Sequence, residues 1–276
     1  MLGDSIKNSS ERNSIELDLG EKQDAELCRV ATIDIGTNST HLLIAKLEPK
    51  LNTFSIELAE KSTTRLGERD PQTGELTFLA MNRAFSTLKR FKDLSESYKV
   101  ESLIIAATSA VREAPNGKIF IAEIKKKIGL DVELISGAEE ARLIYLGVLS
   151  GMQFGNKPHL VLDIGGGSTE LVWIDLTSVP PHERPKSIMR LHAGFHSVES
   201  PFASAKVVDW ISVPLGVATL RDQFNDVEDD AARFALMSWF FEEKLADFAP
   251  YKDCLLYTSD AADEGLGVDL GGRRII

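Results

Sequence analysis

The sequence contains two copies of Asp-Ile-Gly, each behind a short apolar run and each followed by small polar or glycine residues. The first is TIDIGTNST at residues 32–40 and the second is LDIGGGSTE at residues 162–170. Two apolar runs that flank a glycine turn are typical of a β-hairpin. The aspartates lie 163 − 34 = 129 positions apart. We therefore expect a duplicated fold with two related halves, not one continuous sheet.

Strand and helix patterns alternate around the two hairpins. The runs RVATIDIG, THLLIAKLE and NTFSIELAEKS are β-rich, and we expect three antiparallel strands there. Apolar side chains at three- and four-residue spacing over residues 76–98 predict one face of a long helix. ESLIIAATSA and LDVELIS predict further strands, and residues 117–128, 138–149 and a stretch through 220–240 predict helices. This alternation is typical of an α/β fold.

Composition divides the chain into four predicted parts. Residues 1–28 are polar and acidic without a sustained period, so we expect a disordered arm. Residues 29–150 and 151–253 are the two predicted halves, the second incomplete, and the Pro-, Ser- and His-rich residues 178–206 predict a loop or an insertion. The strings CLLYTSDAADE and VDLGGRRII read like a translated sequencing adapter. We therefore interpret residues 254–276 as a non-native tail and the chain as a fragment.

Charge and cysteine content argue against several classes of function. The chain has 31 Lys and Arg against 42 Asp and Glu, a formal charge of -11, which argues against general nucleic-acid binding and against attraction to an anionic membrane. No apolar run approaches the roughly 20 residues that span a bilayer, and the first residues lack a hydrophobic signal core. The 2 cysteines fit no metal-binding spacing. We expect a reduced, soluble, cytoplasmic protein.

The two glycine turns have the composition of anion cradles. Glycine lets backbone N–H groups approach a phosphate closely, and Asp34 and Asp163 at the strand ends would place hard oxygen ligands for Mg²⁺ beside it. The alternative for the first turn alone is an ordinary hairpin with a hydrophilic tip. The predicted phosphate-binding residues are Gly36, Thr37, Asn38 and Ser39 in the first turn and Gly165, Gly166, Gly167 and Ser168 in the second.

A third polar stretch, AATSAVREAPNG, begins inside a buried strand. It places Thr108, Ser109 and Arg112 where α/β proteins keep ligand-contacting loops, and Arg112 is a candidate phosphate fork. Glu113 is a candidate general base, with an exposed helix-cap acid as the alternative. Arg65 in TTRLGERD is a second candidate phosphate clamp, although lone arginines are usually solvated.

From about Ala31 to Leu220 the chain resembles the exopolyphosphatase and guanosine pentaphosphate phosphohydrolase family, called Ppx/GppA. The matching blocks are DIGTNSTHLLI, TTRLGERD, AATSAVREAPNG, LISGAEEARLIYLGVLSGM and VLDIGGGSTEL. The resemblance implies two ribonuclease-H-like halves of the actin, Hsp70 and sugar-kinase superfamily, with the active site in the cleft between them. It also implies Mg²⁺-dependent hydrolysis of the terminal phosphoanhydride of inorganic polyphosphate or guanosine pentaphosphate, and it allows a homodimer.

The resemblance also carries roles for single residues. Glu113 matches the family's proposed water-activating glutamate and Glu140 a supporting acid. Arg65 and Arg112 match phosphate-binding arginines. Two departures stand out. The block SVPLGVATL comes late, after residues 178–206, with Thr219 where an arginine is common. The family's second half also continues beyond the point where the adapter-like tail begins. Two alternatives stay open beside the hydrolase: an ATPase or sugar kinase of the same superfamily, and a non-catalytic sensor of polyphosphate or an alarmone.

Overall fold

The structure is a computed structural model, and the residues that it describes form two β-sheets. It describes residues 28–51, 53–150, 158–184, 187, 206–246 and 248. Residues 1–27 of the predicted disordered arm, the predicted adapter tail at 254–276 and most of the segment 178–206 lie outside these residues, so those predictions remain predictions. Cys28, the last residue of the predicted arm, lies in a β-strand instead.

The first sheet is built around the first hairpin. Strands β1 (Cys28–Ile35), β2 (Ser39–Glu48) and β3 (Thr53–Thr63) pair antiparallel, with a 3-10 turn at Pro49–Leu51 before β3. Strands β4 (Ser102–Ala107) and β5 (Glu133–Leu134) add parallel to β1, which gives the order β3-β2-β1-β4-β5. The three antiparallel strands and the mixed α/β class expected from the sequence are confirmed.

Helices cover the first sheet and close its core. They are α1 (Phe78–Ser97), the short α2 (Ser109–Arg112) and α3 (Gly117–Ile128). The predicted apolar face of α1 buries Leu88 and Phe91 in the core of this sheet, although Phe78 in its first turn stays exposed. The hydroxyl of Thr77 accepts the N–H of Ala80 and so begins α1.

The second sheet is antiparallel and contains the second hairpin. Strands β6 (His159–Ile164), β7 (Thr169–Asp175) and β8 (Lys206–Val213) pair in the order β6-β7-β8, with a 3-10 turn at Pro181–Glu183. Helix α4 (Gly137–Ser150) precedes this sheet and packs on it, because Tyr145 is buried with Val172.

Two predictions about single elements were wrong. The strand predicted from LDVELIS contributes only Glu133–Leu134 to the sheet. The single helix predicted through residues 220–240 is two helices, α5 (Val217–Gln223) and α6 (Asp230–Leu245). The carboxylate of Asp229 accepts the N–H of Ala232, so an N-cap starts a new helix where apolar spacing alone indicated a continuous one.

The two hairpins bury their first strands unequally. Aligned on the two aspartates, Ile33 of β1 corresponds to Leu162 of β6, and Ile33 is 1% exposed where Leu162 is 53% exposed. In the first sheet β4 pairs with the edge of β1 that faces away from β2. Among the residues that the structure describes, no strand pairs with the corresponding edge of β6, which faces away from β7. None of the helices in the described part of the chain is both long and apolar enough to cross a membrane.

Candidate functional site

The two glycine turns face each other and are in direct contact. The same hydrogen bond closes both: the N–H of Gly36 donates to the carbonyl of Ser39 at 3.1 Å, and that of Gly165 to Ser168 at 2.9 Å. A Cβ atom added at Gly167 would lie 2.3 Å from Thr37 Oγ1, a separation that real Cβ atoms essentially never show. Glycine is therefore required at position 167 for the turns to approach this closely.

The second turn directs its amides away from helix α5. The N–H groups of Val217 and Ala218, in the first turn of α5, donate to the carbonyls of Gly165 and Gly166, each at 2.9 Å. In a trans peptide the N–H points opposite to the carbonyl, so the N–H groups of Gly166 and Gly167 point away from α5. Within the described residues neither amide donates to a backbone carbonyl. Both are therefore available to an anion.

The first turn is held by the loop that follows β3. The carbonyl of Asn38 accepts the N–H groups of Thr64 and Arg65 at 3.1 and 2.9 Å, and the carbonyl of Thr37 accepts that of Gly67 at 2.8 Å. The amides of Thr37 and Asn38 donate to no backbone carbonyl in the part of the chain that the structure describes. Each turn thus offers two uncommitted N–H groups, as an anion cradle requires.

A cleft of about 870 Å³ opens between the two turns. It brings together most of the predicted site residues. Those that line it are Asp34, Gly36, Thr37, Asn38, Ser39, Thr108, Ser109, Glu140, Asp163, Gly165, Gly166, Gly167 and Ser168.

Burial disfavours the ionised form of the carboxylates in and beside this cleft. Burial, and then the negative charge of Asp163, raises the pKa of Asp34 to about 6. Burial also raises the pKa of Asp163. The pKa of Glu140 is raised by burial, even though Arg112 Nη1 donates to Glu140 Oε2 at 3.0 Å. Burying several acids together favours protonation or a bound cation.

Glu170 belongs to the same group, and the sequence analysis missed it. It lies opposite Asp163 in the β6–β7 pairing, is 1% exposed, and accepts a hydrogen bond from Ser212 Oγ at 2.8 Å. Burial, followed by the charge of Glu140, raises its pKa to about 7. The signal that would have found it is a lone acid inside the apolar strand TELVWI, since a buried acid is rare without a function or a partner.

A second cleft, of about 410 Å³, contains Glu113. It shares Thr37, Ser109 and Gly167 with the larger cleft, so these residues form a common wall. Glu113 therefore lines the smaller cleft, which adjoins the cleft lined by Asp34 at these three residues. Arg112 Nε donates to Glu113 Oε1 at 3.1 Å.

Neither predicted phosphate-binding arginine lines a cleft. Arg112 is committed to protein acceptors, because besides Glu113 and Glu140 it donates to the carbonyl of Ile135 at 3.0 Å. It orients both predicted catalytic glutamates. Arg65 has a left-handed backbone with φ 50°, and its side chain is 66% exposed and 3.9 Å from Glu68. Arg69, four residues later, lines the smaller cleft instead.

The chemistry of the larger cleft fits a divalent cation. Among the described residues no three His, Cys, Asp or Glu side chains form a complete metal cage. Mg²⁺, however, is commonly bound by one or two carboxylates together with phosphate oxygens and water. Burial raises the pKa of both Asp34 and Asp163, so a bound cation would stabilise their ionised forms, and these two residues would hold the ion.

The raised pKa values predict a pH-dependent stability. Asp34 and Glu170 have ordinary values of 3.8 and 4.5 and folded values of about 6 and about 7. Since the folded state holds these protons more tightly, its stability falls as pH rises through that window. Mg²⁺ binds the ionised form. We expect Mg²⁺ to raise the melting temperature little near pH 5 and increasingly up to about pH 8.

Thermal unfolding at a series of pH values, with and without Mg²⁺, measures this effect. Asp163→Asn serves as the control, and the Mg²⁺-dependent rise should be smaller in that variant. A Mg²⁺ effect of constant size across the whole series would contradict the prediction.

Known proteins resemble the chain over much of its length. A sequence profile of the Ppx/GppA phosphatase family matches residues 43–257. Exopolyphosphatase 2 of Mycobacterium tuberculosis is 35% identical over 153 residues, covering 53% of this chain and 48% of that protein. Guanosine-5'-triphosphate,3'-diphosphate pyrophosphatase of Aeromonas salmonicida is 31% identical over 205 residues, covering 74% of this chain and 35% of that protein.

Solved structures agree with the sequence relatives. The crystal structure of an exopolyphosphatase from Cytophaga hutchinsonii superimposes with a TM-score of 0.65 at 30% identity, covering 81% of this chain and 63% of that one. A Ppx/GppA family member from Aquifex aeolicus gives a TM-score of 0.58 at 29% identity, with the same coverage of 81% and 63%. The chain spans less than half the length of the two curated relatives above.

Proposed function

Because the chain belongs to the Ppx/GppA phosphatase family, we propose that it is a hydrolase that removes the terminal phosphate of inorganic polyphosphate or of guanosine pentaphosphate. The observation that carries the proposal is the pair of opposed glycine turns, whose amides are uncommitted and whose residues line a cleft together with Asp34 and Asp163. Backbone amides from two sides suit a chain of phosphate groups, which has non-bridging oxygens along its whole length.

In the proposed reaction the two turns hold the phosphate chain along the larger cleft. The amides of Thr37, Asn38, Gly166 and Gly167 donate to non-bridging oxygens, where negative charge develops as the terminal bond breaks. Mg²⁺, held by Asp34 and Asp163, would neutralise part of the phosphate charge when bound. Glu140 stays beside these aspartates because Arg112 holds it.

Glu113 acts from the smaller cleft as the general base. It takes a proton from a water molecule whose oxygen attacks the terminal phosphorus, and the bridging P–O bond breaks. The bridging oxygen leaves with the shortened chain, and orthophosphate is the second product. Two observations support this role: Arg112 Nε donates to Glu113 Oε1, and the smaller cleft that Glu113 lines shares Thr37, Ser109 and Gly167 with the larger cleft.

A phosphate-release assay on the full chain tests the proposed function. We expect Mg²⁺-dependent release from polyphosphate or guanosine pentaphosphate, loss of release when EDTA removes the metal, and no formation of ADP from ATP. Preferential hydrolysis of ATP, or transfer of its phosphate to a sugar, would instead identify an ATPase or kinase. Tight binding of polyphosphate without any release would identify a sensor.

A further inference from the structure

Arg69 carries a half-buried guanidinium that the proposed reaction does not use. Its Nη2 donates to the carbonyl of Ala110, whereas its Nη1 is buried without a hydrogen-bond partner among the described residues. Burial lowers the pKa of the guanidinium, and the charge of Glu113 opposes that shift. A buried charged donor without an acceptor is costly, so an acceptor supplied by a ligand would stabilise it.

The backbone of Arg69 is fixed to the segment that follows Glu113. Arg69 pairs with Leu76 in an isolated β-bridge. The side-chain amide of Asn116 binds both backbone groups of Leu76, accepting its N–H at 2.9 Å and donating to its carbonyl at 3.1 Å. These hydrogen bonds hold the backbone of Arg69 to the segment that follows Glu113. The distance between Arg69 and Glu113 therefore does not depend on a free loop.

Two charged side chains line the smaller cleft, Arg69 and Glu113. No ion pair joins them in the described part of the structure, and Glu113 is bonded to Arg112 instead, at 3.1 Å. The remaining lining residues are uncharged and include the hydroxyl residues Thr37, Ser109 and Thr219. A guanidinium and hydroxyl groups around a small cleft are the donors that recognise a tetrahedral oxyanion.

We propose that Arg69 contacts the terminal phosphoryl group in the smaller cleft and retains the orthophosphate released there. The inference rests on the proposed function for the identity of that phosphoryl group, whereas the anion site itself rests on Arg69 and the cleft. A phosphate chain that lies along the glycine turns reaches the smaller cleft at the shared wall of Thr37, Ser109 and Gly167. Orthophosphate is then a product inhibitor that competes with the end of the chain.

The test measures binding of inorganic orthophosphate to the full chain by calorimetry, without substrate. The variants are Arg69→Gln and Arg69→Lys. The matched control is Arg90→Gln, because Arg90 pairs with Glu60 at 2.7 Å and lines neither cleft. We expect Arg69→Gln to weaken phosphate affinity by about tenfold or more, Arg69→Lys to weaken it by less, and the control to leave it unchanged. The KM for polyphosphate should rise in the same order.

The outcomes separate this proposal from the proposed function. If wild type binds no orthophosphate, or if Arg69→Gln binds it as wild type does, the role of Arg69 is overturned even when wild type hydrolyses polyphosphate. If wild type hydrolyses nothing but Arg69→Gln still loses orthophosphate affinity, the anion site stands and the hydrolase does not. Should Arg69→Gln fail to fold, Arg69→Lys decides: reduced affinity supports the proposal and wild-type affinity overturns it.

Discussion

Glu113→Gln should lower the turnover of polyphosphate by about 10²–10⁴-fold while leaving its binding nearly unchanged. The amide has the size of the carboxylate and keeps an oxygen that accepts the hydrogen bond from Arg112 Nε. It cannot take a proton from water at neutral pH. Steady-state phosphate release and equilibrium binding of polyphosphate, measured on the same preparations, separate the two effects.

Glu123→Gln is the matched control for this prediction. Glu123 lies on α3, pairs with Lys127 and lines neither cleft, so the same chemical change there should leave turnover unchanged. Equal rates for Glu113→Gln and wild type would overturn the assignment of the base. A loss of binding equal to the loss of rate would show that Glu113 holds the substrate instead.

The two hairpins could be predicted because their signals are local. A glycine turn between two apolar runs specifies a β-hairpin, whatever the rest of the chain does. The contact between Gly167 and Thr37 joins residues 130 positions apart, from 167 − 37, and no periodic pattern encodes such a distance. Only the repetition of the motif in the sequence therefore indicated a pair of cradles. The contact between them could not be predicted.

The division of the site into two clefts could not be predicted. Glu113 follows Arg112 in sequence, and both were predicted, with Asp34, to belong to one active site. In the structure Arg112 Nη1 holds Glu140 in the larger cleft, while its Nε holds Glu113 in the smaller one. One guanidinium thus binds acids of both clefts, an arrangement that depends on where α4 packs and not on local sequence.

Backbone conformation decides which of Arg65 and Arg69 lines the smaller cleft. Both lie in the loop after β3, and composition does not distinguish them. Arg65 adopts a positive φ, and its side chain is exposed, whereas Arg69 is held at a β-bridge and lines the smaller cleft. A positive φ at a residue other than glycine is uncommon and is not encoded by the residue type, so the sequence alone does not indicate which of the two arginines lines the smaller cleft.

Gly167→Ala should reduce turnover by about 10²-fold or more and destabilise the fold by about 1–3 kcal/mol. The added methyl would lie 2.3 Å from Thr37 Oγ1 and 2.8 Å from Ser109 Oγ. Those two hydroxyls bond to each other at 3.1 Å and are buried, so neither can rotate freely away. The turns must therefore separate, and their amides can no longer converge on one phosphate chain.

Gly147→Ala is the matched control, because nothing lies within 4 Å of a Cβ atom built at this helical position of α4. Alanine there should be neutral or should stabilise the protein by up to about 1 kcal/mol, since glycine is a poor helix former. Phosphate release and thermal unfolding of the two variants measure the contrast. Wild-type turnover in Gly167→Ala would mean that the two turns act independently, and the proposed clamp on the phosphate chain would have to be abandoned.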